Sequence, residues 1–317
     1  MGSGDAWAGL RAGPHPTVSA ATVLDFTASD GLRSSFTVCE PPPGRAAGGG
    51  RAVVLLHGWS GSRRYFDHLL EPLAALGLPT YAPDLRGHGD SAEGCGLHGL
   101  RIACLAADLR DFLSLLQSHG RLGPDGRVTL VGTSMGVAVI WSYIEQFGED
   151  LVRSLVLVDQ APLQNRVEGW ALGSTGCYDA ETLRALQDAL ARDMGAFAEG
   201  NAEACFSQTT AWMQTHPDTL ALLGAETRRC RPAVLAALMA DHTQLDWRPL
   251  LPRVRAETWN CVGLQSKIFP WQGVAWVGDA MPNARNVPFE KGGHWLYVEE
   301  PQRFAEVVAE AAATCVQ

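Results

Sequence analysis

Short apolar runs that alternate with helix-period segments dominate the hydrophobic pattern of this chain. The runs at 52–56 (AVVLL) and 154–158 (SLVLV) are apolar at nearly every position, as in strands buried on both faces of a sheet. Segments with apolar residues at helical spacing fill 97–119 and Met135–Phe147. This alternation predicts an α/β fold with a mostly parallel sheet and helices on both faces.

The alternation stops at residues 162–252. No strand pattern occurs there, and the helical runs are 180–192, 197–214 and 228–241. An all-helical insertion in an α/β chain is typical of a lid over the strand ends, where such sheets bind ligands. We therefore predict a core domain formed by residues 21–161 and 253–317, a helical lid (cap) at 162–252 and a loose N-terminal segment at 1–20.

Composition narrows the classes of function. The 317 residues carry a net charge of −9, which disfavours a nucleic-acid partner, and 46% are hydrophobic, enough for a substantial core. No apolar run reaches membrane-spanning length. The eight cysteines are scattered without a C-x-x-C pair, which indicates reduced thiols and a cytoplasmic protein rather than a disulfide framework or metal site. We expect a small-molecule substrate; the sequence indicates no oligomeric state.

A five-residue motif joins a predicted strand to a predicted helix near the middle of the chain. Residues 132–136 read G-T-S-M-G, a G-x-S-x-G sequence, between the apolar run 127–131 and the helical segment Met135–Phe147. In this context the motif is typical of a strained turn that raises a serine hydroxyl above the sheet edge as a nucleophile. A purely structural glycine-rich turn is the alternative.

Four motifs follow one another in the order found in a known family. They are His57-Gly58-Trp59, the loop 84–91 (DLRGHGDS), the G-x-S-x-G motif at 132–136, and Gly293-His294. On these motifs the chain resembles the α/β-hydrolase superfamily, and within it the branch of small lidded serine esterases, lactonases and cofactor-free haloperoxidase-like proteins. The resemblance covers about residues 22–315. It implies a mostly parallel, eight-stranded α/β-hydrolase sheet with an inserted helical lid, and no cofactor.

The motif serine, Ser134, requires a general base. The resemblance implies His294, because this residue follows the last predicted strand, where the chain order nucleophile, acid, histidine puts the base. In related proteins the histidine at position 57 braces its loop without reacting, and His88 lies in a structural loop. His216 and His242 lie in the predicted lid; we expect the side chains of these two to face solvent, with substrate contact as the alternative.

The acid of the triad is where the chain departs from the family pattern. Related enzymes usually carry an aspartate just past the strand at 258–262, where this chain has Ser266. We expect Asp159, at the end of the strand after the nucleophile helix, to be the acid. The alternative leaves the orientation of the base to Ser266, to water or to a lid carboxylate such as Asp241 or Asp246.

The resemblance also implies an oxyanion hole and a substrate pocket. The backbone amides of Trp59 and Met135 are the implied oxyanion donors. Large apolar side chains from the lid and the core are expected to line an apolar pocket, with packing inside the lid as the alternative. Those assigned to substrate binding are Trp59, Trp170, Trp212, Met213 and Trp295. The sequence contains no phosphate-binding loop, dinucleotide fingerprint or metal-ligand cluster.

These features predict a cofactor-free serine hydrolase that cleaves a small apolar carboxylic ester or lactone through an acyl-enzyme. A perhydrolase or haloperoxidase-like enzyme and a carbon–carbon bond hydrolase are alternatives that would use the same residues. Haloalkane dehalogenases and epoxide hydrolases are disfavoured, since both use an aspartate where this chain has Ser134. A ligand-binding or receptor protein that retains the triad is the alternative of another class, and Ser266 at the usual acid position is the feature that would fit it.

Overall fold

The computed structural model describes residues 7, 9–44, 51–207, 212 and 214–314. Within these residues the strands form one nine-stranded sheet in the order β1-β2-β3-β5-β4-β6-β7-β8-β9. The strands are β1 (Ala12–Pro14), β2 (Ala21–Thr27), β3 (Arg33–Cys39), β4 (Val53–Leu56), β5 (Thr80–Pro83), β6 (Val128–Thr133), β7 (Val152–Val158), β8 (Glu257–Gly263) and β9 (Ala284–Phe289).

The sheet is parallel from β5 to β9, which confirms the predicted mostly parallel architecture. Only the pairs β1–β2, β2–β3 and β3–β5 among the described strands are antiparallel. The sheet has nine strands and not the eight expected. The additional strand, Ala12–Pro14, pairs with β2 and lies in the segment 1–20 that was expected to be loose. Residues 1–6 and 8 of that segment lie outside the described residues.

Helices cover both faces of the sheet, as predicted. The helices of the core are α1 (Asp67–Ala75), α2 (Ile102–Ser118), α3 (Met135–Phe147), α8 (Trp271–Ala280), α9 (Leu296–Glu299) and α10 (Pro301–Ala313). Alternate residues of β4 point to opposite sides, since Val54 and Leu56 pack with α2 and α3 while Val53 and Leu55 pack with α1 and α10. Within the described ranges, no helix is both long enough and apolar enough to cross a membrane.

Four further α-helices of the described residues lie between β7 and β8. They are α4 (Ala180–Arg192), α5 (Met194–Cys205), α6 (Pro217–Arg229) and α7 (Pro232–His242). We call them the inserted helices. The helix predicted over 228–241 is present but begins later, because Arg229 ends α6 and Pro232 begins α7 at a position where its missing N–H costs nothing.

The turn between β6 and α3 brings three backbone segments into close contact. A Cβ atom added to Gly136 would lie within contact distance of the Leu56 carbonyl oxygen and 2.9 Å from that of His57. A Cβ atom at Gly132 would lie 2.8 Å from the backbone of Gly136. Both glycines of the G-x-S-x-G motif are therefore required by the approach of α3 to β4 and β6.

Replacing Gly136 by alanine should lower the free energy of unfolding by about 1–3 kcal/mol, because the added methyl group forces the backbones apart. The matched control is Gly96→Ala, since a Cβ atom at this exposed glycine meets nothing within 4 Å. Urea unfolding of both variants provides the measurement. Equal free energies of unfolding for the two variants would contradict the close backbone contacts at Gly136.

Candidate active site

Ser134 lies in the turn between β6 and α3 with a backbone φ of 49°, in the left-handed region that non-glycine residues rarely adopt. Its N–H donates to the Val158 carbonyl at 2.9 Å, which fixes the turn to the end of β7. Its hydroxyl has one hydrogen-bond partner among the described residues, the side-chain oxygen of Gln160, at 3.5 Å. Sequence reasoning missed Gln160, although its place directly after Asp159 at a strand end was a usable signal.

Asp159 and His294, predicted from distant parts of the chain, are in direct contact. The Asp159 Oδ2 atom lies 2.6 Å from Nδ1 of His294. The carboxylate is fully buried, and its residue also has a positive φ, of 43°. This contact leaves Nε2 of His294 as the nitrogen that can exchange a proton with a reactant.

Ser266 contacts the Asp159 carboxylate rather than the His294 ring. Its hydroxyl donates to Oδ2 of Asp159 at 2.6 Å, and the Gly263 N–H donates to Oδ1 at 3.3 Å. The two lid carboxylates considered as alternatives bond elsewhere: Asp241 accepts from the Ile102 N–H, and Asp246 pairs with Arg248. The alternative acids are therefore not in place, and Asp159 is the carboxylate at the imidazole.

Ser134 and His294 line the same cavity, which has a volume of about 300 Å³. No hydrogen bond joins the two side chains within the described part of the chain, where the hydroxyl is directed to Gln160. A serine hydroxyl turns about one single bond, and such contacts are often long before a substrate is bound. The Ser134 hydroxyl and the His294 ring therefore share one cavity but are not hydrogen-bonded to each other among the described residues.

The loop after β4 lies against the serine. A Cβ atom at Gly58 would be 3.3 Å from Cβ of Ser134. The backbone that leads from Gly58 into Trp59 is therefore next to the serine side chain. Among the described residues, neither the Trp59 N–H nor the Met135 N–H has a hydrogen-bond partner. Both amides are thus available to an oxygen atom bound next to Ser134.

The predicted substrate-binding residues divide into two groups. Trp59 and Trp295 line the cavity. Trp170 and Trp212 do not: Trp170 packs edge-on against Trp276, and Trp212 stacks between Phe206 and His216. Their assignment to the pocket was wrong, because both rings are used in packing. Met213 lies outside the described residues.

The inserted helices supply much of the remaining cavity wall. Leu186 of α4, Phe197 of α5 and His242 of α7 line it. The expectation that His242 faces solvent was wrong, since its side chain is only 3% exposed, and burial lowers its pKa to about 4. His216 is exposed, as expected. Among the described lining residues there is no Asp, Glu, Lys or Arg.

The loop that carries the imidazole is attached to the segment after α5. Glu299 accepts hydrogen bonds from the Gly293 N–H at 2.6 Å and from the Ser207 N–H at 3.0 Å. The Trp295 N–H donates to the Cys205 carbonyl at 3.1 Å. No sequence signal identified Glu299, because its role depends on two segments that are far apart in the chain.

His57 braces its loop, as the resemblance implied. Its Nε2 accepts from the Leu85 N–H at 2.9 Å, so the proton is on Nδ1, which donates to the Gly58 carbonyl at 2.8 Å. Only the neutral ring can accept from the Leu85 N–H, because protonated Nε2 has no free lone pair. Burial lowers the pKa of His57 to about 4.

Comparisons with known proteins agree with this architecture. A model of the alpha/beta hydrolase family matches residues 53–307. A pimeloyl-[acyl-carrier protein] methyl ester esterase of Aromatoleum aromaticum is 27% identical over 262 residues, which is 81% of this chain and 96% of the relative. The structure resembles an esterase from Exiguobacterium antarcticum, with a TM-score of 0.79, 21% identity and coverage of 92% of this chain and 99% of the other. It also resembles a bromoperoxidase from Bacillus anthracis, with a TM-score of 0.79, 20% identity and coverage of 92% and 100%.

The chain therefore belongs to the alpha/beta hydrolase family, which confirms the family predicted from its four motifs. The two solved structures share its fold. The particular reaction is a separate question, since one fold hosts many functions.

The His57→Gln variant should lose part of the acid sensitivity of the wild-type protein. In the folded protein the pKa of His57 lies near 4 instead of 6.5, so its stabilising contribution is complete above pH 6.5 and is lost as the pH falls towards 4. Over this window the unfolding free energy of the wild-type protein should decrease more steeply than that of the variant, by up to about 1.4 kcal/mol per pH unit.

Urea unfolding at pH 7, 6 and 5 measures this difference. Burial lowers the pKa of the neighbouring His88 to about 3, but that group titrates in both proteins and largely cancels in the comparison. His216→Gln, at an exposed histidine, is the control and should follow the wild-type slope. Equal slopes of the unfolding free energy against pH for the wild-type protein and His57→Gln would contradict a His57 ring that is buried and neutral.

Proposed function

We propose that this protein is a cofactor-free serine hydrolase that cleaves a small apolar carboxylic ester or lactone. The observation that carries the proposal is the 2.6 Å contact between Asp159 and His294 at a cavity that Ser134 also lines. Membership of the alpha/beta hydrolase family and an esterase among the relatives support it.

The reaction follows the chemistry of these groups. Ser134 attacks the carbonyl carbon while Nε2 of His294 takes the hydroxyl proton, and Asp159 stabilises the imidazolium through Nδ1–H. The amides of Trp59 and Met135 stabilise the oxyanion. His294 then protonates the departing alkoxide, which leaves an acyl group on Ser134. Water deprotonated by His294 attacks this acyl group, the bond to the Ser134 oxygen breaks, and His294 returns the proton to that oxygen as the carboxylic acid is released.

The size and lining of the cavity support a small, uncharged substrate. A volume of about 300 Å³ is at the lower end of the range for small-molecule sites. An ionised substrate group would find no opposite charge among the described lining residues. In this proposal residues 162–252 act as the lid over a core of 21–161 and 253–317. The free thiols of the described cysteines fit the proposed cytoplasmic location.

A fluorophosphonate probe should label Ser134, and p-nitrophenyl acetate should be hydrolysed. The Ser134→Ala variant should lose the label and lower kcat by about 10⁴-fold or more. Ser114→Ala, on the exposed side of α2, is the matched control and should keep both properties. Mass spectrometry of the labelled peptide and initial rates provide the measurement.

Three outcomes would contradict the proposed function or favour another. An unlabelled Ser134 in folded protein would contradict the nucleophile. Labelling without turnover of any ester would favour a binding protein that retains the triad. Peroxide-dependent halogenation that exceeds ester hydrolysis would favour the haloperoxidase-like alternative.

The position of the acid can be tested by moving it. Asp159→Asn should lower kcat by about 10⁴-fold, since an amide cannot stabilise the imidazolium and asparagine still tolerates the positive φ. Adding Ser266→Asp to Asp159→Asn should recover at least tenfold of this loss, because the Ser266 hydroxyl lies 2.6 Å from the original carboxylate. Ser266→Asp alone is the control for the second substitution.

Steady-state rates of the three variants, with thermal unfolding to check the fold, decide the matter. Unchanged turnover in Asp159→Asn would show that the carboxylate has no part in the reaction. A double variant no faster than Asp159→Asn would show that position 266 cannot hold the acid in this chain.

A further inference from the structure

Two polar side chains on the cavity wall have side-chain atoms without a partner. Within the described residues, Oε1 of Gln164 and Nδ1 of His242 accept and donate no hydrogen bond. The two residues are only 6% and 3% exposed, and both line the cavity that Ser134 lines. Buried polar groups nearly always have partners, so each of these atoms calls for an explanation.

Other polar groups of the same wall are satisfied within the protein. The Ser174 hydroxyl accepts from the Cys177 N–H at 3.3 Å. Nδ2 of Asn201 donates to the Ser60 hydroxyl at 3.4 Å, and Nε1 of Trp59 donates to the Leu235 carbonyl at 2.9 Å. The missing partners are therefore a local property of Gln164 and His242 and not of the cavity as a whole.

Met239 connects the two side chains. Nε2 of Gln164 lies 3.3 Å from Sδ of Met239, which is a weak acceptor. Met239 and His242 are three residues apart on α7, so their side chains point to the same side of that helix. Met239 also lines the cavity, so the two polar groups belong to one continuous part of the wall.

The group that would satisfy these atoms is uncharged. No Asp, Glu, Lys or Arg is found among the described lining residues, so an ionised group would be buried without a permanent counter-charge. Because burial lowers the pKa of His242 to about 4, its ring is neutral near pH 7 and has one donor and one acceptor nitrogen.

We propose that Gln164 and His242 form a binding site for a hydroxyl group of the substrate, so that the enzyme prefers esters or lactones with a hydroxyl beyond the reacting carbonyl. This inference rests on the proposed ester hydrolysis at Ser134. A hydroxyl group carries both a donor, which the amide oxygen of Gln164 lacks, and an acceptor for an N–H of the His242 ring. A purely apolar chain would leave both protein atoms unpaired, which costs free energy on binding.

The test compares p-nitrophenyl hexanoate with its 3-hydroxy and 6-hydroxy derivatives. For wild-type protein, kcat/KM should be at least about tenfold higher for one of the hydroxylated esters than for the hexanoate. In Gln164→Leu and in His242→Phe this ratio should fall towards one, and either variant suffices if the other does not fold. Ser174→Ala, on the same wall, should change all three rates by a similar factor and keep the ratio.

A binding measurement separates this inference from the proposed function. Calorimetric titration of Ser134→Ala with methyl hexanoate, methyl 3-hydroxyhexanoate and methyl 6-hydroxyhexanoate should show tighter binding of the ester with the preferred hydroxyl position. If no ester is hydrolysed but a hydroxylated ester binds more tightly, the proposed function fails and the hydroxyl site stands. If the esters are hydrolysed but neither hydroxylated ester is preferred in rate or in binding, the hydroxyl site is overturned and the hydrolase stands.

Discussion

The buried carboxylate of Asp159 is the interaction on which the candidate site depends. It lies at the end of β7 and accepts hydrogen bonds from the His294 ring, the Ser266 hydroxyl and the Gly263 N–H. A fully buried carboxylate is tolerated only when such donors compensate for lost water. The same three bonds join the ends of β7 and β8 to the loop that carries His294. The bonds that compensate for the burial of Asp159 therefore also position the His294 ring.

Backbone strain is concentrated at the same place. Ser134 and Asp159 follow the adjacent strands β6 and β7, and both have positive φ angles. Each such residue costs on the order of 1 kcal/mol or more and persists only when its surroundings fix it. The Ser134 N–H to Val158 carbonyl bond and the parallel pairing of Thr133 with Val158 provide that support. The spacing between Ser134 and Asp159 is thus set by the register of two central strands.

The sequence predicted those parts of the site that follow from strand ends. Ser134 and Asp159 each come directly after an apolar run, so a parallel sheet brings them to one edge whatever the surrounding packing. The cavity wall was less predictable. Helix α7 is apolar on most sides, so its period does not show which face is buried, and His242 was expected in solvent. The predictions for Trp170 and Trp212 were wrong for a related reason. An aromatic ring can be buried by packing against many kinds of neighbour, and here these neighbours are Trp276 and Phe206.

The inserted helices and the loop of the imidazole are not independent units. One carboxylate, Glu299, binds the Gly293 N–H beside His294 and the Ser207 N–H after α5. A Cβ atom at Gly293 would lie 2.6 Å from the Ser207 nitrogen, so the two segments are also in direct contact. Any movement of the segment after α5 must break these bonds or carry the loop with it. The part of the chain that shapes the cavity consequently also restrains the residue proposed as the base, and substitutions in it should affect substrate preference and turnover together.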